Sequence, residues 1–158
     1  MATLTYTLTE SITLNGQDQG GTMTGTISNI DTVVKRIVTC PDDTGDDTTI
    51  LGLFGANTGA DGDAMDFDVD HVQYIRVSNL HATSSVYLQM ITANDSVSIL
   101  LQAGKHFILG DPEAALLGEA STSPAGSGWE DLVTLQIFNA STGNVQVEFL
   151  VASNSSLS

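Results

Sequence analysis

Basic residues are scarce in this chain of 158 residues. Lysine and arginine together number 4 against 19 aspartates and glutamates, which gives a formal net charge of −15 and a pI near 4.1. A surface of that charge repels nucleic-acid phosphates and anionic lipid headgroups, so the composition argues against nucleic acid and membranes as partners. No apolar run reaches the length of a membrane span. In seawater-like salt the Debye length falls to about 4 Å, so acidic subunits can still pack together.

Residues arranged for catalysis or metal binding are also lacking. Cys40 is the single cysteine, so it has no partner for an intramolecular disulfide, and we expect it to be buried as a small apolar residue. His71, His81 and His106 share no short ligand spacing with another His, Cys or Glu, which argues against zinc. The sequence has no phosphate-binding loop, dinucleotide fingerprint or nucleophile elbow. We therefore predict no catalytic residues, no cofactor and no enzymatic activity.

Apolar and polar residues alternate along much of the chain. Leu4, Tyr6 and Leu8 alternate with threonines, and Ile12 and Leu14 continue the pattern, as expected for β-strands. Nine further β-rich runs follow, at residues 21–30, 31–40, 47–55, 71–80, 84–92, 96–102, 105–109, 131–139 and 144–152.

These runs and the turn residues between them decide the fold class. Ten short strands predict an all-β fold, an antiparallel β-sandwich that we expect to be jelly-roll-like, while Greek-key and immunoglobulin-like sandwiches stay open. At most one short helix is expected, with Asp111 as its N-cap and Gly118 as its stop. Gly20–Gly21 is the predicted turn before the second strand, and residues 140–143 are the predicted hairpin loop between the last two.

The length of the chain predicts a single domain covering residues 1–158, with residues 153–158 as a frayed tail. Residues 1–15 form an N-terminal strand or arm. Such a segment pairs across a subunit boundary, lies against the surface of a larger assembly, or is an ordinary outer strand of the same domain, because edge pairing can be intra- or intermolecular.

An acidic stretch between residues 61 and 70 is the strongest candidate for a metal site. Asp61, Asp63, Asp66, Asp68 and Asp70 fall within ten residues, and calcium prefers such carboxylate oxygens. The spacing does not match the calcium loop of an EF-hand, and no glutamate closes it. A solvated acidic loop is therefore the preferred interpretation, no metal is predicted, and a calcium loop at Asp61, Asp63 and Asp66 is the weaker alternative.

Four segments of the chain resemble a known class of proteins. "TLTYTLTESITLNGQDQGGT", "VVKRIVTCP", "VQYIRVSNLHATSSVYLQMI" and "LLQAGKHFIL" are similar to small virion structural proteins of tailed bacteriophages from marine and cyanobacterial hosts. The resemblance extends from residue 4 to about residue 151, and the chain departs from it in Cys40 and in its very acidic loops. It implies a jelly-roll-like capsid decoration, or cement, protein. Such a protein is made in the host cytoplasm and sits on the outer surface of the virion, where it binds the major capsid protein as a homo-oligomer, a trimer being favoured.

A different class of function stays open beside this one. The same sandwich could serve as a receptor- or glycan-binding module of a head fibre or tail adhesin. Its loops at one end would then bind the ligand. Calcium bound within residues 61–70 would fit that alternative. The number of copies per particle distinguishes the two, since a decoration protein is present in hundreds and a receptor-binding tip in few.

Overall fold

Strands form where the sequence alternates. A computed structural model describes residues 1–42, 48–55, 66–110 and 131–154. These residues contain no α-helix, and a 3₁₀ turn covers Val69–His71. The strands are β1 (Ala2–Glu10), β2 (Thr13–Leu14), β3 (Gln17–Asp18), β4 (Gly21–Ile30), β5 (Thr32–Cys40), β6 (Thr48–Gly55), β7 (Asp66–Asp68), β8 (Val72–Asn79), β9 (Val86–Ile91), β10 (Ser96–Leu101), β11 (His106–Leu109), β12 (Thr134–Phe138) and β13 (Val145–Ser153).

Two main sheets pack against each other as a sandwich. One sheet has the order β10-β9-β12-β6-β7 and the other β11-β8-β13-β5. Neighbouring strands are antiparallel, apart from the parallel pair of β6 with the short β7. The predicted all-β fold of packed antiparallel sheets is confirmed. The short helix predicted at residues 111–118 lies outside the described residues.

The core lies between the two sheets and is filled by alternate residues of their strands. Along β13, the side chains of Val145, Val147, Phe149 and Val151 are all buried, while the residues between them point outward. Phe67 of β7 packs on Phe149 edge to face, with ring centroids 6.0 Å apart. Burying each large apolar side chain contributes about 1.5–3 kcal/mol, so this layer carries much of the stability.

A separate hairpin precedes the sandwich. β1 pairs with β4 and belongs to neither main sheet, and the small β2–β3 pair extends it. The chain reverses at Asn15 and Gly16, both with positive φ (52° and 77°), which is the conformation that an Asn-Gly hairpin turn requires. The predicted turn at Gly20–Gly21 is therefore wrong as the point of reversal, since Gly21 already pairs with Glu10 on the returning strand.

The connection between the last two strands also differs from the prediction. β12 lies in the five-stranded sheet and β13 in the four-stranded sheet, so residues 140–143 cross between sheets and are not a hairpin loop. Asn139 holds this crossing in place. Its buried side-chain amide donates to the carbonyl oxygens of Cys40 (3.1 Å), Pro41 (2.7 Å) and Gly143 (3.0 Å). Cys40 is buried, as expected, and burial raises the pKa of its thiol.

Candidate interaction surface

The N-terminal hairpin (residues 2–30) packs on the outer face of the four-stranded sheet. Its first strand brings Leu4 and Tyr6 onto this face, and its last strand adds Ile27 and the buried Ile30. They form a small apolar cluster with Tyr74, Leu150 and Ala152 of the sheet. This second cluster lies on the opposite side of the sheet from the main core.

Tyr6 and Gly25 form the central contact of the hairpin. Gly25 lies directly opposite Tyr6 on the neighbouring strand, and the tyrosine ring occupies the space that a side chain at position 25 would fill. A Cβ there would lie 2.2 Å from the Tyr6 ring. Tyr6 in turn packs on Tyr74, with the ring centroids 5.8 Å apart. Gly25 is therefore needed for the tyrosine to reach the sheet.

The distal hairpin (residues 7–24) extends beyond this contact. Each of its residues is exposed except Gly20, which is half-buried. The segment from residue 7 to the turn would span about 25–30 Å as extended chain. Leu8 and Met23 are 49% and 65% exposed, and Ile12 and Leu14 near the tip are exposed as well. An apolar ribbon thus extends into solvent.

The two faces of the distal hairpin differ in chemistry. Directly opposed residues of an antiparallel pair lie on the same face. Leu8 opposes Met23 on the face that carries Leu4 and Tyr6, so the apolar face continues past the contact with the sheet. The other face carries opposed threonine pairs, Thr5 with Thr26, Thr7 with Thr24 and Thr9 with Thr22. One face is suited to apolar contact and the other to water.

The outer face of the four-stranded sheet is only partly covered by the hairpin. Strand β5 leaves Val33, Lys35 and Ile37 exposed, and β11 leaves Ile108 exposed. The register places Lys35, Leu150, Arg76 and Ile108 side by side across the four strands. The uncovered part, which we call the β5 face (Val33, Lys35 and Ile37), is apolar with a basic centre.

The basic residues of the chain are concentrated around this sheet. Lys35 and Arg36 lie on β5, Arg76 lies on β8, and Lys105 immediately precedes β11. Glu148 joins two of them: Lys35 Nζ lies 3.0 Å from one carboxylate oxygen, and Arg76 donates to the other. The Lys35 ammonium, with help from Arg76, lowers the pKa of Glu148 against the opposing effect of burial. A protein of charge −15 therefore has one sheet in which cations outnumber acids.

Arg36 differs from the other basic residues because it points between the sheets. Its guanidinium lies 5.5 Å from the centroid of the Phe149 ring and donates to the carbonyl oxygen of Leu51 on β6. This position ties the edge of the four-stranded sheet to its partner sheet. Arg36 is thus a structural residue, and Lys35, Arg76 and Lys105 are the cations near the outer face.

A groove of about 510 Å³ remains between β1 and the sheet on the β11 side. Leu4, Tyr6 and Leu8 line one wall, and Arg76 and His106 belong to the other. His106 donates to or accepts from the Ser78 hydroxyl at 2.8 Å. The hairpin therefore stands partly off the sheet on this side.

The acidic stretch proposed as a calcium alternative is only partly described. Asp61 and Asp63 lie outside the described residues, and Asp66 begins β7, where its backbone pairs with Leu53. Asp68 accepts a hydrogen bond from the Asp70 backbone N–H at 3.2 Å and lies 2.8 Å from His71 Nδ1.

The described residues offer few groups for metal binding. None of their His, Cys, Asp and Glu side chains gather in threes at a distance suited to an ion. Each histidine has its own local partner: His71 pairs with Asp68, His81 accepts from the backbone N–H groups of Thr83 and Ser84, and His106 pairs with Ser78. No helix in this part of the chain is long and apolar enough to cross a membrane.

Sequence reasoning missed the residues that make this surface. The alternation at Leu8 predicted a strand with one buried face, because alternation alone does not say whether a partner sheet covers that face. The basic residues are far apart in the chain and come together only through the strand order. The Asn15-Gly16 pair was the one available signal, since it marks a hairpin turn and would have paired Leu8 with Met23.

Comparisons of the chain with protein-family models, with curated proteins and with solved structures give no match.

Proposed function

We propose that this protein is a non-enzymatic bacteriophage decoration protein that binds the outer surface of the capsid and stabilises it. The observation that carries the proposal is the projecting distal hairpin, whose exposed Leu8 and Met23 form an apolar contact surface on a very acidic body. A contiguous exposed apolar face is typical of protein–protein contact sites. The resemblance of four sequence segments to virion structural proteins supports the same class.

Charge supports an outer position on the particle. The inner surface of a capsid faces packaged DNA, and a chain of charge −15 is repelled by its phosphates. On the outside the same charge favours solubility and opposes aggregation. The partners are the major capsid protein and further copies of this chain, with a trimer as the favoured assembly. Binding at many equivalent lattice positions gains by avidity, so each contact can be modest.

The fold within this proposal is a jelly roll with an added hairpin. In chain order, β5, β6 and β8 to β13 are eight core strands. One sheet then has the order first, eighth, third, sixth, and the other has second, seventh, fourth, fifth. That order supports the two Greek keys of a jelly roll, an architecture used by viral capsid proteins and by lectins. Strand β7 and the N-terminal hairpin are additions to it.

Copy number tests the function. Purified particles of the phage that encodes this chain should contain it in hundreds of copies, counted by quantitative mass spectrometry against the major capsid protein. Particles from a deletion mutant should rebind the purified protein on co-sedimentation and should release DNA at a lower temperature without it. Fewer than about a dozen copies, or failure to rebind, would contradict the proposal.

The adhesin alternative gives a different result in the same preparations. A receptor-binding module would be present in few copies, and particles lacking it would keep their thermal stability but lose adsorption to host cells. If it used calcium, EDTA would lower its melting temperature. A decoration protein without that site should melt at the same temperature with calcium and with EDTA.

A further inference from the structure

The apolar face of the N-terminal hairpin and the outer face of the four-stranded sheet cover each other only in part. The proximal hairpin uses Leu4 and Tyr6 to cover Tyr74 and Leu150 of the sheet. The distal hairpin repeats the apolar face with Leu8 and Met23, which are exposed. One molecule therefore has two uncovered surfaces, the apolar face of the distal hairpin and the β5 face. The β5 face belongs to the same side of the sheet on which the proximal hairpin packs.

The uncovered ribbon continues an existing interface. Leu8 and Met23 lie on the same strands and the same face as the proximal residues, one alternation step beyond Tyr6 and Gly25. The β5 face continues the sheet surface laterally, because Lys35 lies next to Leu150 and Ile37 next to Glu148 in the register. The apolar packing that joins the hairpin to the sheet within one chain can therefore also form between two chains.

The charges of the two surfaces are complementary. The distal hairpin carries the acids Glu10 and Asp18 and no basic residue. The β5 face carries Lys35, which is 55% exposed and already holds Glu148. Lys35 shares a row with Arg76, and Leu150 of β13 lies between them. A second acid placed near Lys35 therefore meets a local charge opposite to the net charge of the protein. Opposite charges favour that orientation over other contacts between two acidic bodies.

We infer that the distal hairpin of one copy packs on the β5 face of a second copy, with Leu8 and Met23 against Val33 and Ile37. Such a contact joins two different surfaces, so it gives a reciprocal dimer or a ring where the rotation between copies closes, and an open filament where it does not. Each copy then contributes both a hairpin and a sheet face. A ribbon face of about 25 by 15 Å buries roughly 400 Å² on each of the two surfaces of one contact. A reciprocal dimer contains two such contacts and buries about 800 Å² per copy, the usual size of a specific interface. The inference does not depend on capsid binding.

Substitutions on the two surfaces test the contact. Met23→Asp and Ile37→Asp change exposed side chains (65% and 59%), so both variants should keep the circular dichroism of the wild type. Because Ile37 lies opposite Glu148, Ile37→Asp should lower the melting temperature by about 1–4 °C, which leaves the protein folded at the temperature of the assay. The matched controls are Thr24→Asp, on the other face of the same strand, and Leu100→Asp, at an exposed site of the five-stranded sheet. All carry the same added charge.

Sedimentation velocity on the full chain gives the readout. We expect the wild type and both controls to associate, and Met23→Asp and Ile37→Asp to weaken self-association at least 100-fold. Mixing these two variants should give a 1:1 complex held by one intact contact, because the first keeps an intact β5 face and the second an intact hairpin. This complex should be weaker than the wild-type assembly and stronger than the assembly of either variant alone. A monomeric wild type, a control as weak as the test variants, or a mixture that stays monomeric would overturn the inference. If the wild-type protein self-associates but does not bind capsids, the proposed function is contradicted and this inference is not.

Discussion

Gly25→Ala tests how the N-terminal hairpin is attached to the sandwich. A Cβ at position 25 would lie 2.2 Å from Cζ of Tyr6 and 2.3 Å from its hydroxyl oxygen, far inside van der Waals contact. The Tyr6 ring must therefore leave its place beside Tyr74, where the ring centroids are 5.8 Å apart. Because Tyr6 is central to the apolar cluster, the substitution should loosen the whole hairpin.

The size of the effect follows from what Tyr6 buries. A half-buried tyrosine keeps about 100 Å² out of water, which contributes on the order of 2.5 kcal/mol, and its ring contact adds about 1 kcal/mol. Replacing glycine by alanine returns up to about 1 kcal/mol by restricting the unfolded chain. We expect undocking of the hairpin to become easier by about 2–3 kcal/mol, roughly a 30- to 150-fold change in the opening equilibrium.

Native-state hydrogen exchange measures this opening directly. An undocked two-stranded hairpin is marginally stable, so the amides of β1 and β4 should exchange faster in Gly25→Ala, while those of the central strand β13 stay protected. Gly21→Ala is the matched control, on the same strand and face, because a Cβ there meets nothing within 4 Å. Equal hairpin protection in the two variants would refute the role given to Tyr6.

Three further predictions concern the sandwich itself. Glu148→Gln should lower the free energy of unfolding by about 1 kcal/mol at pH 7. Because Lys35 lowers the pKa of Glu148, this contribution is present at neutral pH, begins to be lost below about pH 4.3 and is gone once the pH falls through the lowered pKa. The difference between wild type and variant in urea titrations should therefore shrink steadily as the pH is lowered through the acid range. Asn139→Ala should lower the melting temperature by about 10 °C, since three carbonyl oxygens lose their donor, whereas the exposed Asn144→Ala should change it by less than about 2 °C. The buried Cys40 thiol should react with a thiol reagent at least about 100-fold more slowly in native than in denatured protein, and equal rates would contradict its burial.

The positions of the strands could be predicted because alternation is local. The run at residues 21–30 coincides with β4, and that at 144–152 is one residue out of step with β13 at each end. Each residue of such a strand faces either the core or solvent, and the side-chain period of two records this in the sequence. The fold class followed from the number of such runs.

The pairing of the strands could not be predicted in the same way. Residues 140–143 resemble a hairpin loop, yet β12 and β13 belong to different sheets, because a short connection can turn back or cross the sandwich at similar cost. What holds the crossing is Asn139, whose three carbonyl partners lie at Cys40, Pro41 and Gly143. Two of these are about a hundred residues away in the chain, so no local pattern reveals them.

The interaction surface was hidden for a related reason. Exposed Leu8 and Met23 have the same alternating pattern as buried strand residues, and only the absence of a sheet above them among the described residues makes them available. The basic patch needs Lys35 and Arg76, which are 41 positions apart and share a row only because both their strands flank β13. A surface whose residues are brought together by the order of the strands can be recognised only once that order is known.

Salt separates the two electrostatic contributions to the proposed self-association. Two bodies of charge −15 with centres about 40 Å apart repel each other by on the order of 20 kcal/mol in water without screening. An exposed ion pair, such as Glu10 of one copy with Lys35 of another, contributes only about 0.2–1 kcal/mol. The long-range repulsion therefore outweighs the local attraction at low ionic strength, although both have the same physical origin.

Raising the salt concentration should consequently strengthen the association. The Debye length falls from about 30 Å at 0.01 M to about 8 Å at 0.15 M, which removes most of the repulsion, while the apolar contact of Met23 with Ile37 persists because salt does not screen it. The Kd for self-association should fall at least tenfold over this range in sedimentation equilibrium. A Kd that rises with salt would mean that local ion pairs outweigh net charge, and Glu10→Gln should then abolish the salt dependence.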